Sequence, residues 1–518
     1  MSRSERAAKG FAAALLQYAC QILVQILLAP VVLLMAGRET LGAYAAIMQA
    51  LGMLALVDIA GSWSLERFLG QATGVEDDGT RFRDVFTTAR TLLLVTNTVF
   101  AILVIIFSFF IGRLFHLTPA IDVEARYALY VIAAWAILRT PWVAYRSGSV
   151  ATQDMAAMNL IGALLGIGRS VGSLLFVLAG SGLFGLMLAG TVVEACGTVL
   201  YRVRFKKLNP TRMPGWGIPD KALLREMLGF GGYAMFLNIG NRLFFSSANV
   251  LAGLTNGAAA ASSFYTSQMP AMTGYNMLYK LTENSAPAIY ELHGRNDMER
   301  LRNAFTRLMR LMLTMTLPLA AGIFLFNRDL VVTWVGAQQY AGNLLTVSVG
   351  LYCTVYAIQG ISILFSFVFG WVRLLAVTSL LQGAANFGLG YYLGRRLGLG
   401  GISLALVLVL LPQLIILLRK LHETLRVNIA AMLGKIAVRA LLPIGAASAT
   451  GLFVHSLVFI AHRHYTGLIA ECIAFTAIYA LTAYFLMLTK QDHADIRRYV
   501  CLLLDKRKAL RARVFGSV

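Results

Sequence analysis

Apolar runs of about 20 residues or more recur along nearly the whole chain. They fall near 10–36, 40–70, 86–112, 125–146, 153–179 and 182–203, then 227–254, 258–290, 305–326, 340–371, 373–394, 400–419, 434–460 and 466–489. Each run is long enough to cross a bilayer as a helix, so the pattern predicts an all-α polytopic membrane protein with about fourteen transmembrane helices. Several runs exceed what a bilayer needs, which predicts tilt or extension into the cytoplasm. Short turn sequences punctuate the runs: Gly180-Ser181-Gly182, Asn256-Gly257 and Gly398 through Gly401.

Composition supports this reading. The chain has 518 residues, of which 58% are hydrophobic and 13% charged, against about 25% charged in soluble domains. Mean hydropathy is +0.70. The first run follows MSRSERAAK without a small-residue cleavage site, so it is expected to be retained as a span.

Net charge is +21. The basic residues sit at span ends, which favours positive-inside topology and anionic lipid contact over nucleic-acid binding. With the N-terminus inside, the outer loops and span ends hold Arg38, Arg113, Arg126, Arg328, Arg395, Arg396 and Arg463. Five more basic residues lie within spans, and the other 33 of the 45 fall on the cytoplasmic side. Both termini are therefore expected in the cytoplasm.

The longest break, around RVRFKKLNPTRMPGWGIPDKALLRE, divides six runs from eight. It predicts an N-terminal bundle over 1–205, a cytoplasmic linker over 206–225 with Asp220 capping a short surface helix, and a C-terminal bundle over 226–425. Two further helices follow over 426–489, then a basic cytoplasmic tail over 490–518 that suits the inner leaflet.

Motifs for catalysis are missing. The sequence holds no HExxH, GxSxG or Walker-type loop. His462-Arg463-His464 lacks acidic partners, and five widely spaced cysteines imply neither disulfide nor thiolate metal site. Gly166, Gly168 and Gly172 lie within a span, where small residues allow close helix packing. No enzyme activity, cofactor or metal is expected.

Charged residues inside the membrane carry the functional signal. They are Asp58, Glu66, Arg67, Arg139, Arg169, Glu194, Arg242, Lys280 and Glu283, in the first eight runs, while the later runs carry little beyond Glu471 near the outer end of the last. Lys280, Glu283, Arg67 and Arg139 stand toward cytoplasmic ends, within reach of water. Arg169 has a structural reading, a pair with Glu194 on the next span. Arg242 lies near the middle of its run, where an arginine costs roughly 2.5–3.5 kcal/mol on insertion scales. A water-filled cavity holding an anion would lower that cost, and a guanidinium fork matches phosphate oxygens. Asn238 and Asn241 in the 227–254 run, with Tyr265, Gln268, Tyr275, Asn276 and Tyr279 in the 258–290 run, add polar groups suited to a wet, sugar-compatible wall, and the 258–290 helix is expected to bend at Pro270 and Pro287.

Four stretches carry a family likeness: LGAYAAIMQALGMLALVDIAGSWSLERFLGQATG (41–74), LGFGGYAMFLNIGNRLFFSSANVLAG (228–253), FYTSQMPAMTGYNMLYKLTENSAPAIYELHGRNDMERLRNAFTRLMRLML (264–313) and LPLAAGIFLFNRDLVVTWVGAQQYAGNLL (317–345). The chain resembles the polysaccharide transporters, Wzx-type flippases of lipid-linked oligosaccharide and O-antigen units in the multidrug/oligosaccharidyl-lipid/polysaccharide (MOP) superfamily. That resemblance implies two six-helix bundles related by pseudo-two-fold symmetry, MATE-like, around a central cavity open to each side in turn. It implies cationic residues gripping a prenyl diphosphate, a role that position assigns to Arg67, Arg242 and Lys280, with Arg169 as a further candidate. Its implied partners are the polyprenyl-diphosphate-linked glycan, membrane lipids, and glycan polymerase and export machinery. Related drug antiporters often use acids in spans one and seven for ion coupling. Those spans hold none here, which leaves Asp58, Glu66, Glu194 and Glu283 as coupling candidates. Two alternatives stay open, a cation-coupled drug exporter of the same superfamily and a membrane glycan polymerase or ligase.

Overall fold

A computed structural model of the protein describes residues 26–58, 65, 68–73, 79–152, 154–213, 219–460, 464–489 and 492–493. All regular structure among them is helical. The elements are α1 (Ile26–Met35), α2 (Gly37–Leu54), α3 (Thr80–Phe115), α4 (Pro119–Leu138), α5 (Thr140–Ala151), α6 (Met155–Leu178), α7 (Gly182–Leu208) and α8 (Lys221–Phe245). Then come α9 (Ala248–Asn256), α10 (Ala258–Gly294), α11 (Met298–Val335), α12 (Asn343–Val368), α13 (Val372–Leu425), α14 (Ile429–Ile460) and α15 (His464–Leu486).

Eight helices among the described residues are long and apolar enough to cross a membrane: α3, α6, α7 and α11 through α15. Other expected spans are interrupted or more polar. The run at 125–146 splits into α4 and α5, because Pro141 has no N–H to continue the ladder. The run at 227–254 splits at Ser246–Ser247. In α13 the two expected runs stand on either side of Gly398, whose φ of 64° and ψ of −151° break the helix. That backbone conformation is accessible essentially to glycine alone. Extension beyond the bilayer is clear in α3, whose 36 residues span about 54 Å against a hydrocarbon core of about 30 Å. Helix α10 stays helical through Pro270 and Pro287. Asp220 caps as expected, its Oδ1 accepting from the Ala222 and Leu223 amides at 2.8 and 3.3 Å. The helix it opens is the 25-residue α8 itself rather than a short surface helix.

The chain forms two compact units. The first comprises Met1–Thr273, Val331–Val349 and Gly370–Gln413, and the second Gly274–Leu330, Gly350–Phe369 and Leu414–Val518. In the first unit, Phe82, Phe86, Tyr145 and Phe205 form an aromatic core, with ring centroids 5.4 Å apart for Phe86 and Tyr145 and 5.7 Å for Tyr145 and Phe205. Gly148 leaves them room, since a β-carbon there would stand 2.9 Å from the Phe205 ring. Lipid tails are as apolar as these side chains, so close packing rather than escape from water holds them together. Gly168 and Gly172 face Val193 and Ala189 of α7 at van der Waals distance, the close packing expected for small residues.

Loops expected on one side of the membrane meet one another in the first unit. Glu39 accepts from the Thr118 amide at 2.5 Å, and Glu124 from the Leu183 amide at 2.7 Å. At the opposite helix ends, Thr88 accepts from the Asp220 amide at 3.1 Å and Arg204 pairs with Asp154 at 2.8 Å. In the second unit, α14 packs along α15, and the Tyr479 hydroxyl donates to the Thr314 carbonyl of α11 at 2.6 Å.

Candidate functional site

Arg242 occupies the last turn of α8, four residues before the Ser246 cap. Its run is therefore not one continuous helix. The negative end of the α8 macrodipole lies beside its guanidinium, which favours a cation by about 0.3–1 kcal/mol. The Arg242 side chain is exposed and makes no hydrogen bond or ion pair among the described residues. Its Nη1 lies 3.8 Å from where a β-carbon on Gly52 of α2 would stand.

The helix break that follows Arg242 frees backbone groups that hydrocarbon cannot satisfy. Side chains from three helices meet that need. Asn386 of α13 donates to Ser247 Oγ at 2.7 Å and to the Phe244 carbonyl at 3.4 Å. Gln49 of α2 accepts from the Asn249 amide at 2.8 Å, which caps the start of α9. Gln268 of α10 donates to Asn249 Oδ1 at 3.2 Å. Two residues before Arg242, α8 meets α13 backbone to backbone: a β-carbon on Gly240 would stand 2.3 Å from the Ser379 carbonyl carbon. The break is a built feature, and Arg242 stands at its edge.

The remaining sequence candidates separate into several local settings. Gln268 is buried in that network, and Tyr265 packs beside Tyr44 and Trp334 against an apolar cluster of the first unit. Asn241 is half-buried next to Arg242. Arg169 is exposed on α6, where its charge reaches Tyr44, and its Nε lies near Gly190. The expected Arg169–Glu194 pair does not form. Glu194 instead pairs with Arg139, whose Nη2 also approaches Asn97 Oδ1 at 3.4 Å. Arg139 lies between α4 and α5, so the break at Pro141 aims it at α7 rather than toward helix-end water. Asn97 in turn donates to Thr140 at 3.3 Å.

In the second unit, Lys280 pairs with Glu283 one turn on at 2.6 Å, both half-exposed, and Asn276 is exposed. Tyr275 and Tyr279 of α10 stack with Tyr352 and Tyr356 of α12: centroids are 5.9 Å apart for Tyr275 and Tyr279 and 5.4 Å for Tyr275 and Tyr356. Gly360 makes room, since a β-carbon there would press on the Tyr279 ring at 2.7 Å. Tyr352 and Tyr356 were not among the sequence candidates. Their signal is an i, i+4 tyrosine pair matching Tyr275 and Tyr279. Glu471, the charge near the outer end of the last run, is buried, 3.2 Å from His455 Nδ1, with Asp329 4.0 Å from the same atom. Glu66, Arg67 and the side chains of Asp58 and Asn238 lie outside the described residues. No cluster of three His, Cys, Asp or Glu among the described residues could hold a metal.

Comparison with known proteins places this geometry. The chain aligns over 92% of its length, and over 98% of the other chain, with an inward closed structure of the lipid II flippase MurJ, at 14% identity and a TM-score of 0.69. It aligns over 80% of its length, and 95% of the other's, with an inward-facing multidrug resistance MATE family transporter of the MOP superfamily, at 14% identity and a TM-score of 0.62. A MOP superfamily transporter from Pyrococcus furiosus, described as having a binding pocket of reversed polarity, matches over 82% of this chain and 96% of its own, at 13% identity and a TM-score of 0.55. These likenesses establish the fold, an all-helical MurJ- and MATE-like architecture. No curated protein matches the chain by sequence. The family model for polysaccharide biosynthesis proteins matches residues 36–342, more than half of the chain. The protein belongs to the polysaccharide biosynthesis protein family.

Proposed function

We infer that the protein flips a polyprenyl-diphosphate-linked oligosaccharide from the cytoplasmic to the outer leaflet of a bacterial inner membrane by alternating access, with both termini cytoplasmic. Family membership and a flippase fold support the class of activity. The observation that carries the substrate is Arg242: an exposed guanidinium without a partner among the described residues, at the edge of a helix break stitched by Gln49, Gln268 and Asn386. Transporter substrate sites near the bilayer midplane are commonly built at such discontinuous helices. An arginine held there attracts a diphosphate, whose oxygens replace the water it would otherwise need. Arg67, to which the resemblance assigns the same role, is a further diphosphate ligand in this reading. No covalent bond changes.

Alternating access also needs contacts that can open. Arg38 of α2 donates to Ser263 of α10 at 3.0 Å and to the Gln338 carbonyl at 2.9 Å. In the proposed orientation this latch closes the outer side, and it joins residues from both halves of the sequence.

Depletion in the host tests the proposal. Loss of the protein is expected to make complete lipid-linked oligosaccharide accumulate on the cytoplasmic leaflet. An unchanged pool would overturn the assignment. Accumulation of unpolymerised units on the outer leaflet would point to a polymerase instead.

A further inference from the structure

The second unit holds a cavity of about 320 Å³, and none of its lining residues is assigned to transport. Helix α11 lines it with Thr306 and Arg310, and α14 with Lys435 and Arg439. On α14 the lining positions are 431, 432, 435, 436 and 439, a three-and-four spacing that places them on one face. Three cations line the cavity and no carboxylate does.

Those cations are poorly neutralised. Arg310 donates through Nη2 to Asp492 at 2.8 Å, but the same carboxylate also receives Arg307 at 3.0 Å. The Arg310 Nε–H is buried without an acceptor among the described residues. A buried donor of this kind calls for a partner. Lys435 and Arg439 are exposed and form no ion pair with a described residue. A bound anion resolves these features together. A phosphate offers enough oxygens to serve two arginines and a lysine at once.

The rest of the lining favours a lipid as its source. Ala431, Met432, Ile436 and Met487 make the other walls apolar. Beyond Arg439 the same helix exposes Leu441 and Leu442, a surface for acyl chains. We propose that this cavity binds the phosphate headgroup of an anionic phospholipid, held by Arg310, Lys435 and Arg439. Basic pockets between transmembrane helices suit such headgroups. The proposal does not depend on which substrate the protein carries.

The test is native mass spectrometry of the full-length protein with phosphatidylglycerol or phosphatidylcholine. A Lys435→Gln/Arg439→Gln variant removes two exposed cations and leaves the Arg310–Asp492 pair intact. It is expected to retain phosphatidylglycerol about tenfold less well or worse, with unchanged phosphatidylcholine binding and unchanged melting in phosphatidylcholine. Wild-type retention of phosphatidylglycerol by the variant overturns the site. Protection of the wild type from thermal unfolding by inorganic phosphate, with none from phosphatidylglycerol, would assign the cavity to a free anion and overturn the lipid.

Discussion

The guanidinium of Arg242 reaches within 3.8 Å of the point where a β-carbon on Gly52 would stand, and Ser246 Oγ lies 3.5 Å from the same point. Helix α2 thus leaves a gap where the cation emerges. A methyl group fits at that distance without forcing either neighbour to move. Gly52→Ala is expected to transport normally, whereas Gly52→Leu fills the gap, displaces Arg242 and lowers transport. Comparing both variants at matched expression checks this, and equal loss in the two would mean that Gly52 matters only for backbone packing.

The meeting of α8 and α13 leaves less tolerance. A β-carbon on Gly240 would stand 2.3 Å from the Ser379 backbone, and one on Gly383 would stand 2.6 Å from the Gly240 carbonyl oxygen. Backbone cannot rotate away as a side chain can, so the helices must separate. Gly240→Ala is expected to destabilise the protein by about 1–3 kcal/mol, read as a lower melting temperature in detergent. An unchanged melting temperature would mean that the two helices can slide apart freely.

Arg139 and Glu194 form a pair across α5 and α7, supported by Asn97. Removing the acid leaves a largely buried guanidinium with one weak partner. Glu194→Gln is expected to cost about 1.5–3 kcal/mol, and the Arg139→Glu/Glu194→Arg exchange to recover part of it. If Glu194 couples transport to ions instead, Glu194→Gln will abolish gradient-driven flipping while leaving thermal stability unchanged.

Asp492 lies beyond the last helix and holds Arg307 and Arg310. Burial raises its pKa. Hydrogen bonds from Thr489 and the two arginine charges together outweigh that and bring it below the usual carboxylate value. A lowered folded-state pKa makes the stabilisation complete above the ordinary carboxylate range and lost as pH falls through the lowered value. Asp492→Asn should therefore destabilise the protein at neutral pH, with the difference from wild type shrinking only in strong acid. Melting curves at several pH values check this, and a difference independent of pH would assign the effect to packing.

Much of the fold is readable from apolar runs, because a bilayer demands length and apolarity of every span. The turn at Gly398 and the cap at Asp220 are equally legible, since each needs a specific residue type. What hydropathy cannot show is interruption. The break at Ser246–Ser247 carries no proline or glycine, and its partners Gln49, Gln268 and Asn386 are scattered over three distant helices. Pairing is hidden for the same reason: Glu194 is reachable from Arg139 or Arg169 by sequence distance, and only the break at Pro141 decides which. Tyr352 and Tyr356 look like ordinary span residues until α12 meets α10. The value of Arg242 as a candidate, by contrast, came from its isolation within an apolar run, which any reader of the chain can see.

The most direct measurement is flipping by purified protein in liposomes, using a prenyl-diphosphate oligosaccharide and a probe that reaches only the outer leaflet. Wild type is expected to expose the glycan over time. Arg242→Ala, folded and equally incorporated, is expected to show little or none, with Arg242→Lys intermediate because a lysine keeps the charge but not the fork. Full flipping by Arg242→Ala would contradict the role given to this arginine, and absence of flipping by the wild type would contradict the flippase itself.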